Sequence, residues 1–151
     1  MSIVAGLRSP YAKVDRLVYF GRMLDKIRLH GAGKLPVDEY VPNLGRGFDK
    51  RCCGFLRVSY DELKSRVTAA ETDASLLAWA EEKGGRRSDE DCELWNSFMM
   101  KRGFRDDASA TLLKRIHESG FEGKPIMTMF DYLDFDEGRD PVSARSWENQ
   151  A

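Results

Sequence analysis

Asp25 and Arg28 stand three residues apart in the stretch Val14–Gly31, V-D-R-L-V-Y-F-G-R-M-L-D-K-I-R-L-H-G, and they are the pair best placed to do chemistry. A guanidinium can hold a carboxylate or phosphate through two parallel hydrogen bonds. A carboxylate beside it can orient that guanidinium or accept a proton as a base. The spacing puts both on one face of a helix, with the small Gly21 one turn below. Arg22 and Lys26 flank the pair on the polar side, and Arg8 arrives just before the stretch. Tyr40 and Asn43 offer a hydroxyl and an amide from the segment that follows. The candidate set for a small anionic ligand is therefore Arg8, Arg22, Arg28, Tyr40 and Asn43, with Asp25 as the orienting or catalytic group. The same residues allow a second reading, in which Asp25 and Arg28 form a structural ion pair that fastens another element. The protein would then be a non-enzymatic module for a protein partner. A cavity lined by Arg28 and Tyr40 would favour the first reading. A filled core with an exposed apolar patch would favour the second. Enzyme and binding protein are not separated at this level.

Positioning the pair requires a helix. Val14, Leu17, Val18, Gly21 and Leu24 recur at three- and four-residue spacing, which predicts a helix from Val14 to about Gly31, with Ser9 or Asp15 as its cap and Gly31 at its end. Residues 32–47 hold two prolines and three glycines, so they predict a long loop. Leu35, Val37, Tyr40, Val41 and Leu44 give that loop apolar contacts with which to wrap over the core near the first helix.

Further helices are predicted down the chain. One covers Phe48 to about Arg57. Another follows the capping box Ser59–Glu62, with Leu63 and Val67 inward. The next opens at Thr72 or Asp73, with Leu76, Leu77 and Ala80 inward, and ends at Gly84 and Gly85. Ser88–Asp91 opens a helix with the stripe Cys92, Trp95, Phe98 and Met99. Asp106 or Asp107 opens one with Leu112, Leu113 and Ile116 inward. The last covers Met127 to about Asp134. The expectation is all-α, one compact domain of about six or seven helices packed around a central N-terminal helix. Residues 1–13 are an entry segment, 14–135 the domain and 136–151 a polar tail, partly without order. Trp79 and Trp95 read as core residues or as walls of a pocket.

Composition narrows the function classes. With 42% apolar and 32% charged residues, the chain reads as a globular domain. The net charge of −1 conceals an asymmetry: through Arg57 there are 11 Lys and Arg against 5 acids, and beyond it 13 against 20. The basic half can receive an anion, or the two halves can neutralise each other by packing. No sustained basic run or glycine-aromatic motif points to nucleic acid, and no stretch approaches a membrane span. Three cysteines and a short apolar run at the start lead us to expect a reducing, cytoplasmic location. No cofactor or metal is expected. G-A-G-K (Gly31–Lys34) lacks the spacing and the hydroxyl residue of a phosphate loop. D-F-D-E-G (Asp134–Gly138) lacks the glutamate of a calcium loop, and His30 and His117 stand too far apart for a metal set.

Four motifs together resemble a bacterial family known as domain of unknown function 5069. They are L-R-S-P (Leu7–Pro10), G-R-M-L-D-K-I-R (Gly21–Arg28) with its glycine-bearing loop, L-L-A-W (Leu76–Trp79), and S-D-E-D with W-N-S-F-M (Ser88–Asp91, Trp95–Met99). The resemblance spans about residues 7–135. It implies a compact domain with Arg8, Ser9, Pro10, Arg22, Asp25, Lys26 and Arg28 on motif positions. It implies no activity.

Overall fold

Helix α1 runs Phe20–Gly31, so it begins at Phe20 rather than at Val14. The residues before it form a two-stranded antiparallel hairpin, β1 (Lys13–Val14) and β2 (Leu17–Val18), in which Val14 faces Leu17. A three-residue apolar spacing suits both a helical turn and a tight hairpin, and over so short a run it does not separate them. Asp15 in the hairpin turn and Tyr19 before α1 both take positive φ, 52° and 70°, which ends any helix there. Neither Ser9 nor Asp15 caps α1, whose start has no side-chain cap. Ser9 instead donates to Asp134. At the other end Gly31 is the last helical residue and Ala32 the cap.

The computed structural model describes residues 3–68 and 70–149. Seven helices of seven residues or more lie among them. After α1 come the four-residue α2 (Val37–Tyr40), then α3 (Phe48–Leu56), α4 (Tyr60–Arg66), α5 (Asp73–Gly84), α6 (Asp89–Lys101), α7 (Ser109–Glu118), α8 (Met129–Asp136) and the four-residue α9 (Pro141–Ala144). The chain is all-α apart from the small hairpin, as the periodicity predicts. None of the helices is long and apolar enough to cross a membrane. Ser59, Thr72 and Ser88 cap α4, α5 and α6, each accepting from the amide three residues on. Asp106 does not cap a helix directly. Its carboxylate takes the amides of Gly103 and Ala108, and α7 starts after them.

All residues of α1 from Phe20 to Ile27 are buried. A helix covered on every side is the centre of its fold. Phe20, Met23 and Leu24 pack with Val18, Cys52, Leu56, Leu63, Leu76, Ala80, Cys92, Met99 and Phe130 in one apolar cluster. Trp95 joins this core, its ring stacked on Phe55 with centroids 4.9 Å apart. Asn96 fastens the hairpin to α6 by accepting from the Val18 amide at 3.1 Å and donating to the Arg16 carbonyl at 2.7 Å. Leu35 and Tyr40 form a second, small cluster with Leu7, backed by Leu29 of α1, so the 32–47 segment does wrap over the first helix. Phe98 and Leu113, expected inward, are exposed, and so is His117.

The polar tail is ordered as far as Asn149. Asp140 caps α9, and the Trp147 indole donates to the Tyr11 carbonyl at 2.8 Å. Glu137, in the segment expected as tail, is only 1% exposed.

Two glycines on neighbouring helices test the packing of α3 against α5. A Cβ on Gly84 would lie 1.9 Å from the Leu56 carbonyl oxygen, whereas one on Gly54 would meet nothing within 4 Å. Gly84→Ala is expected to destabilise by about 1–3 kcal/mol through overpacking. Gly54→Ala should stabilise by about 0.5–1 kcal/mol through helix propensity. Urea unfolding of the two variants reads both signs.

Candidate functional site

Burying three charged residues of one helix requires a partner for each, and α1 finds them on two sides. On the Gly21 side, Arg8 spans Asp25 with Nε to Oδ2 at 2.8 Å and Nη2 to Oδ1 at 3.0 Å, and its backbone amide donates to the same carboxylate at 3.0 Å. Gly21 makes this approach possible, because a Cβ there would lie 2.7 Å from the Arg8 guanidinium carbon. Arg8 also donates to Asp73 at 2.7 Å, and Arg28 donates to Asp73 at 2.9 Å. Arg28 and Asp25 themselves are 3.7 Å apart. Two guanidinium groups and two carboxylates thus alternate. Asp73 is the first residue of α5, where a negative charge also suits the helix dipole. The Arg8 hydrogen bonds, first of all, hold the Asp73 carboxyl below its usual range, with Arg28 adding to them.

On the other side, Arg22 grips Glu137 with both arms, at 2.8 and 2.6 Å. The Tyr40 hydroxyl donates to the same carboxylate at 2.7 Å, and Arg139 contacts it at 2.5 Å. Arg139 continues to Asp134 at 3.2 Å. One turn along α1, Lys26 Nζ lies 2.8 Å from Asp49 and 3.1 Å from the Tyr19 hydroxyl, which itself donates to Asp49 at 2.7 Å. The Gly45 amide supplies a further donor to Asp49 at 3.0 Å. Arg22 and Lys26, read from the sequence as flanking residues on a polar side, are 2% and 6% exposed. Burial lowers the Lys26 amine below its ordinary value even against the opposing pull of Asp49, and it raises the Tyr19 phenol. Tyr19 is also strained. Its φ of 70° is costly for an aromatic residue, by about 1–3 kcal/mol, and is maintained by surrounding packing. That packing is the amide bond to the Pro10 carbonyl and contact of the ring with Phe48 and Phe130.

This second side opens onto a cavity of about 570 Å³. Tyr19, Arg22, Lys26 and Glu137 line it from below, with Tyr40 and Asn43 at one end. Phe48, Met129, Tyr132 and Leu133 supply apolar and aromatic wall, and Arg46, Arg51, Arg102 and Arg115 add cations. Of the residues proposed from the sequence, Arg22, Tyr40 and Asn43 come together here. Arg8, Asp25 and Arg28 do not reach it and lie in the Asp73 assembly instead. Trp79 and Trp95 do not line it.

Sequence reasoning missed Glu137, Asp49, Tyr19 and the arginines of α3 and α7. Arg22 and Lys26 repeat at one helical turn, which is a visible signal. Their partners lie 115 and 23 residues away and carry none.

The family model described as Domain of unknown function (DUF5069) matches residues 4–139, most of the chain, so the chain belongs to that family. No curated protein matches it.

The pairing of Glu137 sets an acid dependence. Burial alone would raise its carboxyl, but the Arg22 hydrogen bonds and charge outweigh burial and hold it below its ordinary 4.5. The stability it contributes is complete above 4.5 and is lost as the pH falls through the lowered value. Glu137→Gln should cost about 3–5 kcal/mol at neutral pH by stranding Arg22. Urea unfolding at a series of pH values should show that gap closing as the wild-type carboxyl protonates.

Proposed function

We propose that this member of the family binds, or acts on, a small anionic molecule in the cavity between α1, the 41–51 segment, α7 and α8. The observation that carries the reading is an imbalance of charge at one place. Arg22 and Lys26 at the floor are matched by Glu137 and Asp49. Arg46, Arg51 and Arg115, around the same cavity, have no carboxylate within 4.0 Å among the described residues. Cations left unmatched over a concave surface attract anions, and the aromatic wall provides a face for the non-polar part of a ligand. A volume of about 570 Å³ falls within the range of small-molecule sites.

In this reading Arg22 and Tyr40 form a stiff floor, and Asn43 contributes an amide at the edge. Arg8, Asp25 and Arg28 serve as a clamp that ties the start of α5 to α1. The alternative, a module for a protein partner, draws on exposed Leu94, Leu113, Met127 and Val142. These stand on four different elements, and single exposed apolar residues are ordinary surface.

Thermal unfolding in the presence of inorganic phosphate, citrate and a panel of phosphorylated and carboxylated metabolites tests the reading. At least one should stabilise the wild type, by about 2.7 kcal/mol at a hundredfold excess over its dissociation constant. The double variant Arg51→Ala/Arg115→Ala should lose that response while keeping its own stability within about 0.5 kcal/mol, as for exposed positions away from packed features. Arg28→Ala should melt lower and still respond. A ligand whose effect disappears in Arg28→Ala and survives in the double variant would move the site to the Asp73 assembly.

A further inference from the structure

Lys26 is the one lysine among the described residues that lies buried against the cavity. A lysine usually keeps its ammonium group in water while its stem covers apolar surface. Here the whole side chain is enclosed, and Nζ sits between a phenol at 3.1 Å and a carboxylate at 2.8 Å. For a purely structural ion pair, arginine would be the better-suited cation, as it is at Arg8, Arg22 and Arg28.

We propose that Lys26 is a nucleophilic amine that forms an imine with an oxo acid held in the cavity, with Tyr19 and Asp49 moving the protons. The proposal rests on the anion-binding reading: the unmatched arginines select the acid group, and the amine selects the carbonyl. The groups facing Nζ are Tyr19 and Arg22 of α1, Asp49 of α3, and Glu137 beyond α8. Burial and the Arg22 charge favour the neutral amine, while Asp49 and Glu137 oppose them, and burial has the largest effect.

The step balances without an oxidant or reductant. The ammonium of Lys26 gives a proton to Asp49, and the free amine attacks the carbonyl carbon. The new C–N bond forms as the oxygen takes up protons and leaves as water, giving a protonated imine. In sum, an ammonium and a ketone become an iminium and water. Asp49 can receive and return the proton because it keeps the Tyr19 hydroxyl and the Gly45 amide as partners when Lys26 turns away.

The test is imine trapping on the full chain. The protein is incubated with pyruvate or 2-oxoglutarate, reduced with borohydride and mapped by peptide mass. The expected result is a secondary amine on the peptide carrying Lys26, with a mass gain of the oxo acid less one oxygen, in excess over exposed Lys34 and Lys50. Lys26→Arg should lose that adduct and keep the background labelling. Because the adduct is located on the wild-type protein, the result does not depend on how the variant folds. Labelling of Lys26 no greater than that of Lys34 and Lys50, with both acids, overturns the imine. If phosphate or citrate still stabilises the protein in that case, the anion cavity stands without it. If neither acid labels Lys26 and no anion stabilises the protein, both readings fall.

Discussion

Helix α1 is buried on every side, yet it carries Arg22, Asp25 and Lys26 in its buried stretch. Desolvating one unpaired charge costs far more than a folded domain has in reserve, so each must meet an opposite charge inside the protein. Three pairings answer this: Arg22 with Glu137, Asp25 with Arg8, and Lys26 with Asp49. Each partner comes from a different part of the chain. The entry segment, α3 and the C-terminal segment are therefore drawn to the same helix by electrostatics as well as by apolar contact. A buried pair is a weak source of net stability, but removing one member is severe. These contacts fix which elements may touch α1, and the apolar cluster around Phe20, Met23 and Leu24 supplies the driving force.

The two sides of α1 solve the matching differently. The Asp25 side closes. Gly21 admits the Arg8 guanidinium against the helix backbone, and Arg8, Asp25, Asp73 and Arg28 satisfy one another with no residue of the group lining the cavity. The Arg22 and Lys26 side stays partly open, because the elements above it, the 41–51 segment, α7 and α8, meet over side chains and not backbone. Its floor is made of matched charges and so is stiff and preorganised. Its surroundings hold Arg46, Arg51 and Arg115 without carboxylate partners. A rigid floor beneath uncompensated cations suits capture of an anion, since the cost of organising the site is met during folding.

Tyr19 links the two properties. It ends the hairpin, takes the positive φ that turns the chain into α1, and places its hydroxyl between Lys26 and Asp49 at the cavity floor. A hairpin ahead of α1, where a longer helix was expected, is what creates this position. Had the helix begun at Val14, residue 19 would have taken helical φ and its ring a different direction.

What the sequence determined by itself is local. Helix starts at Ser59, Thr72 and Ser88 were readable because a cap and its amide lie within three residues. The all-α class and the core faces of α3 to α6 were readable from periodicity, and the polar row on α1 from charges standing at apolar spacing. The row also identified Arg22 and Asp25, and Tyr40 and Asn43 were legible as polar groups in a loop that had to cover α1. What only the tertiary structure decided is which charge meets which. Asp25 was paired on paper with Arg28, its neighbour on the helix, but its bidentate partner is Arg8, and Arg28 goes to Asp73. Arg22 meets Glu137 from a segment read as a loose tail. Helix geometry constrains residues one turn apart, whereas a buried ion pair is chosen by packing among elements far apart in sequence, and no local spacing records that choice.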